Sequence, residues 1–168
     1  MAAHQLYLIR HGRAEERGDR WPDDSKRPLT DDGSERVLKA ARGLERLGTT
    51  LDVVLTSPFV RTHQTAELTA SAFDSRPPIV TLDSLTPNGS FQAFLEDLEK
   101  QARRSKVAIV GHEPDLGEMA ARLCGLRQPL PFRKGAVCRI DVNTIPPSSA
   151  GTIRWFMTAT MLGALRKR

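Results

Sequence analysis

Long apolar runs are missing from this sequence of 168 residues, and so is the pattern of a secretory signal. No stretch approaches the roughly 20 apolar residues that a membrane-spanning helix needs. The first residues, MAAHQLYLIRHG, lack the basic stretch, the long apolar run and the small-residue cleavage site that are typical of exported proteins. We therefore expect a cytoplasmic protein that has no membrane partner.

Cysteine and aromatic residues are also scarce, and each scarcity disfavours a class of function. Cys124 and Cys138 lie in different predicted elements without a CxxC spacing, which favours a reducing compartment and two ordinary core thiols. No pair of histidines or cysteines has metal-ligand spacing such as HExxH, so we expect no metal and no cofactor. Aromatic residues make up only 5% and the basic residues are scattered, which disfavours nucleic-acid binding. The formal charge of +5 nevertheless suits an anionic partner.

What the sequence does contain is a regular alternation of strand-like and helix-like segments. Apolar runs at 6–9, 52–56, 79–82 and 107–110 predict four strands, with helical periodicity between them. The later segments AVCRIDV and TIRWFMTA, separated by TIPPSSAG, predict an antiparallel hairpin at the edge of the sheet. This alternation predicts an α/β three-layer sandwich with a mostly parallel central sheet and an antiparallel edge strand. The length fits one domain over 1–168.

Several helices have recognisable starts. Thr30 precedes two aspartates and can cap one helix, and Ser90 can cap another. Ser57 followed by Pro58 predicts a third start, with the serine as cap and the proline as the first helical residue. The segment 13–29 is charged and broken by prolines, so we expect an exposed, solvated loop.

Basic side chains follow three of the predicted strands at the points where the strands end. Arg10 and His11 end the first strand, Arg61 lies just past the second, and His112 follows VAIVG. Because ligands bind at the carboxyl ends of parallel strands, we expect these four side chains to surround one crevice. Guanidinium groups match phosphate oxygens and stay charged. The set predicts an anion pocket that could stabilise a transferring phosphoryl group without a metal.

One of the two histidines would act as the nucleophile. Imidazole is nucleophilic only when it is neutral, and a backbone carbonyl bonded to one ring nitrogen would leave the other nitrogen free. His11 is the better candidate, because the strand end fixes its place and Gly12 allows close backbone approach. We expect His112 to donate a hydrogen bond to a phosphate oxygen.

Between about positions 5 and 125, the chain resembles the histidine phosphatase superfamily. Four segments carry the resemblance, in the order that the superfamily has them: RHG at 10–12, RPLTDDG at 27–33, TSPFVRTHQTA at 56–66 and GHEP at 111–114. The short chain, the RPLT element and LTPNGS at 85–90 are most similar to its compact SixA-type phosphohistidine phosphatases.

The resemblance implies a phosphoglycerate-mutase-like fold and a phosphohistidine intermediate on His11. It implies a phosphate pocket made of Arg10, Arg61 and His112. For SixA-type members it further implies removal of phosphate from phosphohistidine on a signalling or phosphocarrier protein.

The sequence departs from the larger mutase and phosphatase branches of this superfamily, which carry an acidic proton donor after the third strand. Here that region reads LDSLTPNGS, where Asp83 comes early and Asn88 lies where a donor or a backbone contact is expected. Glu113 is acidic but has no assigned role, and we assign Gly12 and Asn88 to phosphate binding. A protonated imidazole leaves more readily than an alkoxide, so the departure favours a phosphoramidate substrate. A small phosphomonoester substrate, or a non-catalytic module that binds a phospho-ligand, stays open as an alternative.

Overall fold

The computed structural model describes residues 4–166 and shows one six-stranded mixed sheet with helices on both faces. The strands are β1 (His4–Arg10), β2 (Val53–Thr56), β3 (Ile79–Thr81), β4 (Lys106–Gly111), β5 (Val137–Val142) and β6 (Thr152–Met157). The helices are α1 (Asp31–Arg46), α2 (Val60–Ser71), α3 (Phe91–Glu99), α4 (Asp115–Cys124) and α5 (Ala159–Gly163).

The strands lie in the order β3-β2-β4-β1-β5-β6. The first four are parallel, β5 is antiparallel to β1, and β6 is antiparallel to β5. The predicted mostly parallel sheet with an antiparallel hairpin at one edge is therefore confirmed. Arg10 lies opposite Gly111 in the β1–β4 register, so these two strands end at the same level.

Alternation of side chains along the strands produces the two buried layers. Leu6 and Leu8 of β1 pack with the apolar faces of α3 and α4, whereas Tyr7 and Ile9 pack with α1, α2 and α5. Successive side chains of a strand point to opposite faces of the sheet, so a strand covered on both faces is apolar throughout. The predicted three-layer sandwich is confirmed.

Two of the three predicted helix caps are confirmed and one is wrong. Thr30 Oγ1 accepts from the Gly33 amide at 2.9 Å, and Ser90 Oγ accepts from the Ala93 amide at 3.2 Å. Helix α2, by contrast, begins at Val60 rather than directly after Ser57, and its N-cap residue makes no side-chain capping bond. The hydroxyl of that serine has another partner, described below.

The segment 13–29 is more than a solvated loop, which corrects the prediction for it. Ala14 and Leu29 are buried and pair as an isolated antiparallel bridge. Between them, Arg27 is only 9% exposed; its Nε donates to Asp24 Oδ1 at 2.9 Å and its Nη1 donates to a backbone carbonyl. These contacts fasten the segment to the rest of the chain.

The remaining predictions about composition concern the thiols and the membrane. Cys124 and Cys138 are both free, and Cys138 lies in the core. Across residues 4–166, every helix is too short or too polar to cross a bilayer.

Candidate active site

The carboxyl ends of β1 and β4 bring two imidazoles together. The amide of His11 donates to the carbonyl of Gly111 at 3.2 Å, and His112 directly follows that last residue of β4. The two imidazole centroids lie 5.4 Å apart with an angle of 61° between the rings. Both side chains are buried, with the residues 6% and 4% exposed. The parallel register therefore produces the pair of histidines that the strand ends predict.

His11 is held as a neutral imidazole in one tautomer. Its Nδ1 lies 2.7 Å from the carbonyl oxygen of Gly12, which can only accept, so Nδ1 carries the hydrogen. Nε2 then keeps its lone pair. Burial lowers the pKa of His11 to about 3, although the bond to Gly12 opposes this, and nearby positive charges add to the lowering. Those charges belong to Arg61, Arg10 and Lys134. His11 thus presents an unprotonated nitrogen at neutral pH, as a nucleophile requires.

His112 is fixed by a serine at the end of the neighbouring strand. Its Nε2 lies 2.9 Å from Ser57 Oγ, and that oxygen accepts from the Phe59 amide at 3.3 Å. Among residues 4–166, Ser57 Oγ has these two partners, and Nε2 is the one that can accept the hydroxyl hydrogen. This assignment leaves a lone pair on Nε2 and places the ring hydrogen on Nδ1. Burial lowers the pKa of His112 to about 3, and coupling to the neighbouring His11 and the positive charge of Arg61 contribute. The ring is therefore a neutral hydrogen-bond donor through Nδ1.

The two arginines are anchored at their tips and unpaired at their Nε atoms. Arg61 is 2% exposed; its Nη1 donates to the Asp24 carbonyl at 2.8 Å and its Nη2 to Asp24 Oδ2 at 3.0 Å. Arg10 donates from Nη1 to the carbonyl of Phe132 at 2.8 Å. Among residues 4–166, four buried side-chain nitrogens have no partner, and three belong to this site. These are Arg10 Nε, Arg61 Nε and His112 Nδ1. Buried donors are normally paired, and a bound oxyanion could accept from all three of these nitrogens.

Gly12 has its own backbone groups already engaged. Its amide donates to Thr65 Oγ1 at 3.1 Å, and its carbonyl accepts from His11. A Cβ at this position would lie 2.4 Å from Val37 Cγ2. Glycine is therefore favoured here because α1 packs directly against the loop that follows His11.

The structure does not bring Asn88 or Asp83 into the histidine pair. Asn88 is exposed with a φ of 63°, and its backbone amide donates to Asp115 Oδ2 at 2.8 Å. Asp83 is exposed and begins a single helical turn that ends at Leu85. The assignment of Asn88 to phosphate binding stays a prediction.

Both carboxylate oxygens of Glu113 accept hydrogen bonds from backbone amides. Its Oε1 accepts from the Gly117 amide at 2.7 Å and its Oε2 from the Phe132 amide at 3.2 Å. The carbonyl of Phe132 in turn accepts from Arg10. The acid of the GHEP segment thus positions a site arginine through one intervening residue, Phe132.

Two residues of the site, Ser57 and Asp24, were not predicted as such. Ser57 follows the end of β2, the strand beside β4, and that position was the signal that could have identified it. Asp24 lies 37 residues from Arg61 in sequence, within a run of mixed charges, and carried no comparable signal.

The site combines a neutral imidazole, which has a free nitrogen lone pair, with donors that suit an oxyanion. A lone pair on His11 Nε2 and three unpaired donors are the parts that phosphoryl transfer to an imidazole requires. In the described part of the chain, no group of three or more His, Cys, Asp or Glu side chains is arranged to hold a metal ion.

Known proteins share much of this sequence. The family model for the histidine phosphatase superfamily (branch 1) matches residues 6–86, which include three of the four segments noted in the sequence. The phosphohistidine phosphatase SixA of Escherichia coli (strain K12) is 31% identical over 157 residues, covering 92% of this chain and 93% of that protein. An uncharacterized protein of Picosynechococcus is 43% identical over 118 residues, covering 69% of this chain and 70% of its own length.

A solved structure extends the similarity to the whole fold. The protein histidine phosphatase SixA, complexed with tungstate, matches with a TM-score of 0.83 and 28% identity. The match covers 94% of this chain and 99% of that one. Sequence and fold agree, and the chain belongs to the histidine phosphatase superfamily.

Proposed function

We propose that this phosphatase removes phosphate from phosphohistidine on a protein, through a covalent phosphohistidine intermediate on His11. One observation carries the proposal: a neutral His11 with a free Nε2 shares a buried pocket with three unpaired donors. Relatives named phosphohistidine phosphatase, and the solved relative that binds the oxyanion tungstate, support it.

In the first step, Nε2 of His11 attacks phosphorus as the bond from phosphorus to the substrate imidazole breaks. If the other nitrogen of that ring carries a proton, the ring leaves as neutral imidazole and no further proton is needed. Arg10 and Arg61 donate from Nε, and His112 from Nδ1, to the oxygens on which negative charge is concentrated. In the second step, water attacks phosphorus, the bond to His11 breaks and its electron pair returns to Nε2. Inorganic phosphate leaves as dihydrogen phosphate, which carries both hydrogens of the water.

The acids beside the site favour a phosphoramidate over a phosphomonoester. Although partial burial opposes it, hydrogen bonds from Arg27 and Arg61 lower the pKa of Asp24, which keeps this carboxylate ionised. Glu113 uses both oxygens to accept from backbone amides. Neither acid is arranged to protonate an alkoxide leaving group, whereas an imidazole needs less assistance.

Replacing His11 by Ala tests the nucleophile. We expect the variant to lose turnover of phosphohistidine proteins and to form no radiolabelled, acid-labile phosphoenzyme. His63→Ala is the matched control, because His63 is half-buried and lies 3.4 Å from Glu67, away from the pocket. Near-wild-type turnover by the His11 variant would refute the mechanism.

The same assays separate the alternative functions. A strong preference for sugar or nucleotide monophosphates over phosphohistidine proteins would overturn the proposed substrate class. Ligand binding without turnover or phosphoenzyme would instead support a binding module. Metal independence is tested with a chelator, which should leave turnover intact.

A further inference from the structure

A cleft of about 630 Å³ adjoins the site, and basic side chains make up most of its charged lining. Its walls come from the residues around His11, the first turns of α1, the loop before β5 and the start of α5. We refer to it as the basic cleft. Its charged lining consists of Arg10, Arg13, Arg36, Arg133 and Lys134, with Asp32 as the acid.

Most of this positive charge is not neutralised by the protein. Arg36 pairs with Asp32 at 3.0 Å. Within residues 4–166, no carboxylate lies within 4.0 Å of the other four basic side chains of the cleft. Partial burial lowers the pKa of Lys134, and the charges of Arg10 and Arg13 add to this. The basic cleft therefore has a net positive field that an anionic ligand would relieve.

Hydrogen bonds tie the basic cleft to the nucleophile. The amide of Gly135 donates to the carbonyls of both Arg10 and His11, at 3.1 and 3.0 Å. Arg10 in turn donates to Phe132 of the same loop. Lys134 thus lies on a loop fastened to the catalytic dipeptide, at a fixed position relative to the phosphoryl pocket.

We infer that the basic cleft docks an acidic face of the substrate protein, binding carboxylates that flank the phosphorylated side chain. The identity of that side chain as histidine rests on the function proposed above. Arg13, Arg133 and Lys134 are exposed. Long, exposed cations suit several carboxylates at variable positions on a protein surface. A single fixed anion of a metabolite would instead call for buried, preorganised donors such as those of the phosphoryl pocket.

Two matched peptides test the inference. Both contain one phosphohistidine, flanked by glutamates in one peptide and by glutamines in the other. The wild-type chain should hydrolyse the glutamate peptide with a kcat/KM about tenfold higher at low ionic strength. Screening should remove most of this preference at about 0.5 M salt.

The double variant Arg13→Glu/Lys134→Glu should prefer the glutamine peptide, because the cleft then repels glutamates. Both side chains are exposed, so the substitutions should leave the fold intact. Arg103→Glu is the matched control: Arg103 is exposed and precedes β4, at the opposite end of the sheet from the site, and should keep the wild-type ratio. A wild-type chain without a preference, or a double variant that retains it, would overturn the inference.

Failure of the proposed function gives a different result. Neither phosphohistidine peptide would then be hydrolysed, although phosphomonoesters would be. The same pair made with phosphoserine is measured in parallel. A glutamate preference that the double variant loses would still support the docking surface, and an equal rate for both phosphoserine peptides would overturn it.

Discussion

Replacing Ser57 by Ala should lower kcat by about fivefold, the factor to which about 1 kcal/mol corresponds, while leaving the fold intact. Ser57 Oγ is fully buried and lies 2.9 Å from His112 Nε2. Without the hydroxyl, Nε2 has no donor, and the ring is free to place its hydrogen there. His112 Nδ1 would then present a lone pair to the phosphoryl oxygens in place of a hydrogen bond.

The magnitude follows from the hydrogen bond that is lost. A neutral hydrogen bond contributes about 0.5–1.5 kcal/mol net, which is the bias that Ser57 supplies between the two tautomers. Complete loss of one donor to a transition-state oxyanion lowers kcat by about 10²–10³-fold, which sets the upper limit. The unpaired nitrogen of His112 should also lower the free energy of unfolding by about 1–3 kcal/mol.

Thr62→Ala is the control for the loss of a buried hydroxyl. Thr62 Oγ1 donates to the carbonyls of Ser57 and Phe59, at 3.1 and 2.7 Å, and is not bonded to His112. Its removal should lower stability to a similar degree and leave kcat near that of the wild type. The assays are single-turnover kinetics and ¹⁵N chemical shifts of the imidazoles, which report the tautomer directly. The reasoning is refuted if Ser57→Ala keeps kcat within about twofold, or if Thr62→Ala loses as much.

Three further outcomes follow from the site and its packing. Asp24→Asn should lower kcat/KM by about tenfold, because the guanidinium of Arg61 loses a charged partner. Asp19→Asn, in the same segment, should leave kcat/KM unchanged. Equal losses in the two variants would refute the role of Asp24 in positioning Arg61. The two site histidines have a pKa of about 3 when folded and an ordinary value of 6.5, so the unfolded chain binds more protons between these pH values. The free energy of unfolding should therefore fall as pH decreases from 6.5 toward 3, by up to about 1.4 kcal/mol per pH unit for each imidazole. Urea titrations in which the free energy of unfolding does not change with pH over this range would contradict the lowered pKa values. Gly12→Ala should cost about 1–3 kcal/mol of stability through the clash with Val37, and a double-mutant cycle with Val37→Ala should show coupling; additive effects would exclude that clash.

The architecture was predictable because it depends on local periodicity. Apolar runs covered on both faces identify parallel strands, and the caps at Thr30 and Ser90 fix where two helices begin. The rule that parallel strands present ligand sites at their carboxyl ends then places Arg10, His11 and His112 at one edge. No long-range information is needed for these steps.

Ser57 could not be assigned from local pattern, because its hydroxyl has two possible roles. A serine before a proline is typical of a helix start, and that is the role the sequence favours. The fold places His112 beside the same oxygen, in a buried position, where an imidazole nitrogen without a partner is costly. The hydroxyl therefore bonds to the imidazole, and α2 begins later, at Val60.

The sequence could predict that Arg61 has an acidic partner but not that this partner is Asp24. A guanidinium as buried as that of Arg61 requires a compensating acid, and the first turn of α2 contains none. The acid had to come from another segment, and the segment 13–29 holds five candidates: Glu15, Glu16, Asp19, Asp23 and Asp24. Only the three-dimensional path of that segment, closed by the bridge between Ala14 and Leu29, selects one of them. A buried cation therefore predicts that a partner exists, whereas its identity depends on how a charged loop is anchored to the core.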